Sequence, residues 1–344
     1  MADTTLKDIA KELGLSVNTV SRGLRDMNDI SHETKQRIRF AAEQMGYRKN
    51  IAASMLRSNR SRAVGVLVSD IGNPVYSGMV IGIESICKNH QYTIILANSN
   101  ESAEEELIVL NDMIERGVDG VLLVPTMHDT NAVDLLSDYG IPFATIGRRF
   151  PNLSLNSILN DDILGGQLVG THLYELGHRE ILFLSGPNHI SSAQERYAGL
   201  KYAMSSQSGE TRIEKIEAEA TREGGRSSME ACIQAGLRAT AVFAFSDFMA
   251  FGAFEALRKA GYEIPKDVSL IGYDDIEFSD LLTPGLTTID MCKIRLGKRA
   301  AEFIIKEIER TDTEPPQTHQ ILMKPQLIVR GTTAPPANAS LRLI

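Results

Sequence analysis

The chain has 344 residues, 43% of them hydrophobic and 23% charged, enough for two or three domains of roughly 100–200 residues each and typical of a globular protein. It has no apolar run of about 18 residues, which excludes a membrane-spanning helix. The opening Met1-Ala-Asp-Thr-Thr-Leu-Lys7 lacks the apolar core of a secretory signal, so a cytoplasmic location is expected. The net charge of −8 hides an asymmetry: residues 1–62 carry 12 Lys+Arg against 7 Asp+Glu, a balance of +5, which leaves −13 on the rest. A basic head on an acidic body points to a polyanionic partner for the head, against the alternative of a merely solvated basic face. Cys87, Cys232 and Cys292 are far apart with no Cys-x-x-Cys, and read as reduced, buried small hydrophobes rather than a disulfide or zinc set.

The first 50 residues hold three helical patterns and no strand pattern. Thr5-Leu-Lys-Asp8 is a capping box ahead of Leu6, Ile9, Ala10 and Leu13, and Gly14 ends that helix. Ser16 caps a second helix reaching about Leu24, and a third fits Glu33 to Met45 before Gly46. From residue 62 short apolar strands alternate with longer helical patterns. One series is Val64–Val68, Tyr92–Leu96, Gly120–Val124 and Phe143–Ile146, with helices near 75–89, 103–116 and 131–139. A second is Ile181–Leu184, an edge-like Ile213–Ile216, Ala241–Phe245 and Val268–Ile271. Such alternation predicts two α/β lobes with parallel doubly wound sheets. Leu286–Ile289 and a helix at about 293–309 are expected to cross back to the first lobe, and the tail 335–344 to be weakly ordered.

The helix–Gly14–helix spacing fits a helix-turn-helix, whose second helix must present polar side chains to the major groove. With Val20 and Leu24 inward against Ile9 and Ala10, Val17, Asn18, Ser21 and Arg22 are expected outward. Asn can pair bidentately with adenine, Arg with guanine, and Val17 can touch a thymine methyl. Ser16, Thr19 and Ser21 suit phosphate contacts, which set register. A generic three-helix unit is the alternative.

Residues 4–62 resemble the headpiece of the lactose-repressor (LacI/GalR) family. The resemblance rests on Thr5-Leu-Lys-Asp-Ile-Ala-Lys-Glu-Leu-Gly-Leu-Ser-Val-Asn-Thr-Val-Ser-Arg22, Ile30-Ser31, Thr34, Ile38 and Gly46-Tyr47-Arg-Lys-Asn50. It continues to about residue 333 through Val118-Asp-Gly120, Leu176-Gly-His-Arg179, Ser185-Gly-Pro187, Asp267-Val-Ser-Leu-Ile-Gly-Tyr-Asp274 and Leu286-Thr-Thr-Ile289. It implies an all-α helix-turn-helix headpiece over 1–60, with a hinge helix at about 50–58, and a two-lobed α/β core like periplasmic binding proteins over 61–334. Lobe 1 then takes about 61–160 and 291–322, and lobe 2 about 161–290 and 323–334. The implied DNA contacts are Thr5, Leu6, Ser16, Val17, Asn18, Thr19, Ser21 and Arg22, with Asn50, Ala53, Leu56 and Arg57 in the hinge. Leu56 matches the family's leucine that wedges into the minor groove; a helix of about seven residues is marginal alone and needs a partner helix and DNA to form. The resemblance implies a homodimer on a pseudo-palindromic double-stranded operator; the short tail offers no tetramerising coiled coil.

Ligands in such sheets bind beyond the carboxyl ends of strands. Asp70, Asn73 and Tyr76 follow the first strand, Arg148 the fourth, Asp247 follows Phe245-Ser246, and Asp274 closes Ile271-Gly-Tyr273. Arg196 matches a family arginine that holds ligand. Carboxylates and arginines suit a polyhydroxyl effector, a sugar or sugar phosphate, and two arginines suit an anionic group. Asp247 equally serves as a helix cap, Arg148-Arg149 as a surface pair and Asn73-Pro74 as a helix start. The chain carries no G-x-S-x-G, Walker A or H-E-x-x-H motif, its histidines have no metal-ligand spacing, and no cofactor or catalytic residue is expected. The expected function is an effector-controlled, DNA-binding transcriptional repressor; the alternatives are a sugar-binding module or an enzyme on a similar sheet.

Overall fold

Local capping decides the N-terminal unit. Thr5 and Asp8 close the capping box of α1 (Leu6–Leu13), with the Asp8 carboxylate accepting from the Thr5 N–H at 2.8 Å and its hydroxyl at 2.7 Å. Gly14, at φ 65, ends α1 in the left-handed conformation that costs a residue without Cβ nothing. The Ser16 hydroxyl accepts from the Thr19 N–H and starts α2 (Val17–Leu24), and Ser31 does the same for α3 (His32–Gln44). The expected third helix is thus present, shifted one residue. Ile9, Ala10, Val20, Ile38, Ala41 and Ala42 make the core of this unit. A Cβ at Gly23 would lie 2.5 Å from Ile38 Cδ1, so the α2–α3 approach depends on its absence. The structure, a computed structural model, describes residues 4–47, 60–207, 209–311 and 318–337. The hinge residues Asn50, Ala53, Leu56 and Arg57, and most of the tail, lie outside them.

The second unit, Arg62–Ile344, is built on two parallel sheets. In the first, β1 (Ala63–Val68) is flanked by β2 (Thr93–Asn98) and β3 (Gly120–Leu123). It continues through β4 (Phe143–Ile146) and β5 (Ser157–Asn160) to β11 (Gln320–Met323), in the order β2-β1-β3-β4-β5-β11. The second runs β7-β6-β8-β9, from β7 (Arg212–Glu217), β6 (Glu180–Ser185), β8 (Ala241–Ala244) and β9 (Ser269–Ile271). The edge position expected for the 213–216 strand is observed. A two-stranded antiparallel ribbon of β10 (Thr288–Asp290) and β12 (Gln326–Ile328) completes the strands described.

Helices cover the sheets in close pairs: α4 (Pro74–Asn89) on α11 (Lys293–Glu309), α7 (Asp162–Glu175) on α8 (Ser191–Ser205), and α9 (Arg222–Gln234) on α10 (Asp247–Lys259). The 293–309 helix therefore does return to the first sheet's half. Each crossing is made through reciprocal glycines. A Cβ on Gly82 or Gly297 would fall 2.2 or 2.1 Å from the Ile294 or Met79 carbonyl oxygen, and one on Gly166 or Gly199 2.2 or 2.0 Å from that of Arg196 or Ile163. The helices α5 (Ala103–Glu115) and α6 (Asn131–Asp138) complete the first half. Phe183, Phe243 and Tyr273 are fully buried in the second half, with Phe183 and Phe243 centroids 4.9 Å apart. Cys87 and Cys232 are buried as expected, but Cys292 is only half-buried: it sits at φ 54 just before α11, where its thiol meets Asp290 and Arg295.

Candidate functional site

In the N-terminal unit, the α2 side chains divide unequally. Val17 is 41% exposed, Asn18 is exposed and Arg22 is partly exposed. Ser21 is buried at 8%, contrary to the outward placement expected for it; its neighbour Val20 and Gly23 are buried too. The Ser16 and Thr19 hydroxyls bond one another at 2.8 Å. Thr5 is exposed and Leu6 half-buried at the start of α1. The Arg22 guanidinium pairs with Asp29 at 2.7 Å across the turn that follows α2, a partner the sequence reading did not foresee.

In the second unit both sheets place strand 2-1-3 neighbours so that the order reverses at their first strand, and the loops leaving the carboxyl ends there bound a cavity of about 500 Å³. Of the expected effector residues, Asp70, Asn73, Tyr76, Arg148, Arg196 and Asp274 all line it. Asn73 also caps α4 by accepting from the Val75 N–H, so the helix-start reading holds for its oxygen. Asp70 accepts from the Gly72 N–H at 2.9 Å.

Asp247 does not reach the cavity. It is fully buried and its carboxylate accepts from the Ile276 N–H at 3.0 Å and from the Ser279 and Thr288 hydroxyls, both at 2.6 Å. Burial pushes its carboxyl up to about 6 against those three donors. The helix cap at that point is Ser246, whose hydroxyl accepts from the Met249 N–H. Asp247 therefore ties α10 to the loop after β9 and to β10, and the Ser246 neighbour takes its place on the cavity wall.

Arg196 enters the cavity from α8 and is 4% exposed. Its guanidinium lies 3.5 Å from the Tyr273 ring centroid and 4.5 Å from that of Phe245. Nε donates to Asp162 Oδ1 at 2.9 Å, Nη1 donates to the Phe245 carbonyl, and Nη2 is 3.9 Å from Asp274 Oδ1. Asp274 is 5% exposed, and burial pushes its carboxyl well above the usual range, against the pull of Arg196. Its backbone and that of Asp275 sit at φ 113 and 48, strained for residues with a Cβ, and are held by the Asp274 N–H to Ile289 carbonyl bond and by Lys293 Nζ donating to both carbonyls.

Across the cavity, Arg148 is a 7% exposed residue, not half of a surface pair. It makes a bidentate pair with Glu101, Nη2 to Oε1 at 2.6 Å and Nη1 to Oε2 at 2.8 Å, and Nη1 also donates to the Pro125 carbonyl. For Glu101 burial acts upward, and the Arg148 hydrogen bonds and charge outweigh it and hold the carboxyl below its usual range. Two imidazoles also line the cavity, His128 after β3 and His189 after β6, stacked with centroids 4.3 Å apart. Glu101, His128 and His189 all follow strand ends. The same rule that found Asp70 and Arg148 would have found them had it been applied after every strand. Asp162 follows β5, a strand too short and polar to be read from the sequence.

No cluster of three His, Cys, Asp or Glu among the described residues is placed to hold a metal, and no described helix is long and apolar enough to cross a membrane.

The family described as bacterial regulatory proteins, lacI family, matches residues 5–50, and that described as periplasmic binding protein-like domain matches 171–333. The HTH-type transcriptional repressor PurR of Mannheimia succiniciproducens is 31% identical over 328 residues, covering 95% of this chain and 97% of that protein. The ribose operon repressor of Haemophilus influenzae is 31% identical over 331 residues, with the same coverage of 95% and 97%. Among solved structures, a LacI family transcriptional regulator from Enterococcus faecium with bound ribose superposes with a TM-score of 0.71 at 30% identity, over 79% of this chain and 99% of that one. The chain belongs to the lacI family of bacterial regulatory proteins: a helix-turn-helix transcription regulator with a two-lobed, effector-binding α/β core.

Proposed function

We propose that the chain acts in the cytoplasm as a homodimeric repressor, without catalytic activity. It reads a pseudo-palindromic operator through Val17, Asn18 and Arg22 and responds to a small polyhydroxyl effector bound in the core cavity. Thr5, Leu6, Ser16 and Thr19 flank the reading helix as phosphate-side contacts, and Asn50, Ala53, Leu56 and Arg57 supply the hinge by resemblance to the family. The observation that carries the effector reading is the meeting of Arg196 and Asp274 on one wall with Asp70, Asn73, Tyr76 and Arg148 on the other, around one cavity at the carboxyl ends of both sheets. Directed donors and acceptors on opposite walls suit a ligand with hydroxyls around a ring. The Enterococcus faecium relative holds ribose, and the Haemophilus influenzae relative is named for the ribose operon, which supports a sugar as the effector.

A gel shift of the full chain on the promoter region of its own operon, with and without a panel of pentoses and hexoses, tests both halves. The expected result is a shifted complex lost on excess unlabelled operator but not on random DNA, with midpoint moved by one sugar. Coupling of about 1–3 kcal/mol corresponds to a change of roughly 5–150-fold. Equal affinity for operator and random DNA would remove the sequence-reading role.

A further inference from the structure

Two arginines in a cavity suggest a phosphate or carboxylate ligand, but the hydrogen bonds contradict that suggestion. The Arg148 fork is occupied: both terminal nitrogens face Glu101, Nη1 also donates to the Pro125 carbonyl, and Nη2 has the Tyr76 hydroxyl 3.4 Å away. Arg196 is engaged by Asp162 and the Phe245 carbonyl, and its remaining terminal nitrogen faces Asp274. Four carboxylates line the cavity among the described residues, Asp70, Glu101, Glu219 and Asp274, against these two guanidiniums. A dianion arriving there meets two guanidiniums already paired with carboxylates, with further acidic side chains at Asp70 and Glu219. Of the stacked His128 and His189 on the wall, His189 does not reverse this balance, because burial and the neighbouring Arg148 lower its pKa.

We infer that Glu101 sets the charge selectivity of the cavity: by keeping the Arg148 fork closed it selects an uncharged polyol and rejects a phosphorylated one. The inference rests on the reading of this cavity as the effector site. Glu101 suits the role because it belongs to the loop after β2 and its side chain is 39% exposed, whereas Arg148 is nearly enclosed at 8%. Removing the carboxylate leaves a buried guanidinium whose bidentate geometry matches a phosphate. An uncharged sugar needs neither arginine freed. It can hydrogen-bond to Asp274, whose buried carboxyl group has its guanidinium neighbour 3.9 Å away.

The test is calorimetric titration of the full chain with inorganic phosphate, ribose and ribose 5-phosphate. It uses the wild type, Glu101→Gln, Glu101→Ala and the double variant Glu101→Gln/Arg148→Met, each checked for folding by circular dichroism. The wild type is expected to show no saturable phosphate binding. Both Glu101 variants should gain it, at least about tenfold tighter than any residual wild-type binding, and should prefer ribose 5-phosphate to ribose. The gain should vanish when Arg148 is also replaced, which separates the cavity from the basic N-terminal unit. Wild-type binding of ribose 5-phosphate as tight as that of ribose overturns the inference, as does the absence of a phosphate gain in both folded Glu101 variants. If no sugar binds but the Arg148-dependent phosphate gain is present, the ribose reading fails and the charge filter stands.

Discussion

Replacing Arg196 with methionine keeps most of the side-chain volume between Tyr273 and Phe245 but strips the guanidinium from a wall where it is 4% exposed. Asp162, itself 3% exposed, then loses its only ion-pair partner among the described residues, and the Phe245 carbonyl loses its donor. Removing one member of a buried ion pair costs about 3–5 kcal/mol, because the other charge is left in a low-dielectric site. For a domain of this size 1 kcal/mol moves the melting temperature by roughly 2 °C or more, so Arg196→Met should melt about 6–10 °C below the wild type. Asp162→Asn alone should also destabilise, since it leaves the guanidinium facing Phe245 and a distant Asp274. The double variant should be more stable than the two single losses summed, because no orphaned charge remains at that contact. Thermal melts of the four proteins by circular dichroism complete the cycle. Additive losses, or an Arg196→Met protein melting within about 2 °C of the wild type, refute the reasoning that the buried Arg196–Asp162 pair stabilises the core. Effector titrations of Arg196 variants therefore have to be run well below their lowered melting points.

Four further outcomes follow from particular residues. His178 is 1% exposed, with Nδ1 at 2.8 Å from Thr240 Oγ1 and Nε2 at 2.9 Å from the Ala334 carbonyl, and burial lowers its pKa to about 4. A histidine depressed in the fold is neutral there while the unfolded chain takes up a proton. Stability is then complete above the unfolded value of 6.5 and lost as pH falls towards 4, about 2 kcal/mol of it by pH 5. An imidazole NMR titration midpoint near 6.5 would refute this. Gly166→Ala, whose Cβ would stand 2.2 Å from the Arg196 carbonyl oxygen, should force α7 and α8 apart and cost about 1–3 kcal/mol in urea melts; an unchanged midpoint counts against backbone-to-backbone packing there. Asn18→Ala should weaken operator binding by roughly 5–150-fold while leaving random-DNA affinity alone. Ser21→Ala should instead act on stability, because Ser21 is buried at 8%. Fluorescence anisotropy on the two DNAs separates them, and an operator-specific loss for Ser21→Ala would refute its placement.

The strands were legible wherever both faces are buried, because such strands read as continuous apolar runs: β1, β3, β6 and β8 fall within a residue or two of expectation. The short strands β5, β11 and β12 were not. Ser157–Asn160 carries two polar ends, and β11 and β12 each offer three or four residues to an edge or a ribbon, too few for a period to show. The helices α7, α8 and α9 were missed because their glycines and serines break the apolar stripe. Those same glycines are the residues that let the helices touch. In the site, residues directly after a recognised strand were found. What sequence could not supply was pairing: that Arg148 belongs to Glu101, 47 positions away, Arg196 to Asp162, 34 away, and Asp247 to a buried hydroxyl pair instead of a ligand.

The pairing also bears on how a ligand could act. Arg148 is held by Glu101 and the Pro125 carbonyl beside the first sheet, and Arg196 by Phe245 and Asp274 beside the second and by Asp162 at the start of α7, directly after β5. The Arg148–Glu101 pair stays within the first half, and the Arg196–Asp162 pair lies at the crossover from β5 into α7. The polar contacts that do cross at the cavity are fewer: Arg149 with Glu195 at 2.6 Å, the Arg149 N–H with the Ser191 hydroxyl at 3.1 Å, and Lys293 with the carbonyls of Asp274 and Asp275. The His128–His189 stack is a further contact of the same kind. The Arg149–Glu195 pair is partly exposed, its side chains 38% and 18% accessible, and a pair in that setting contributes about 0–1 kcal/mol. A ligand shifts an equilibrium only by its differential affinity for the two states. On the proposed effector reading, a ligand whose hydroxyls reached Asp274 on one wall and Asn73 or Tyr76 on the other would add contacts between the halves alongside these, and its binding would bias their arrangement.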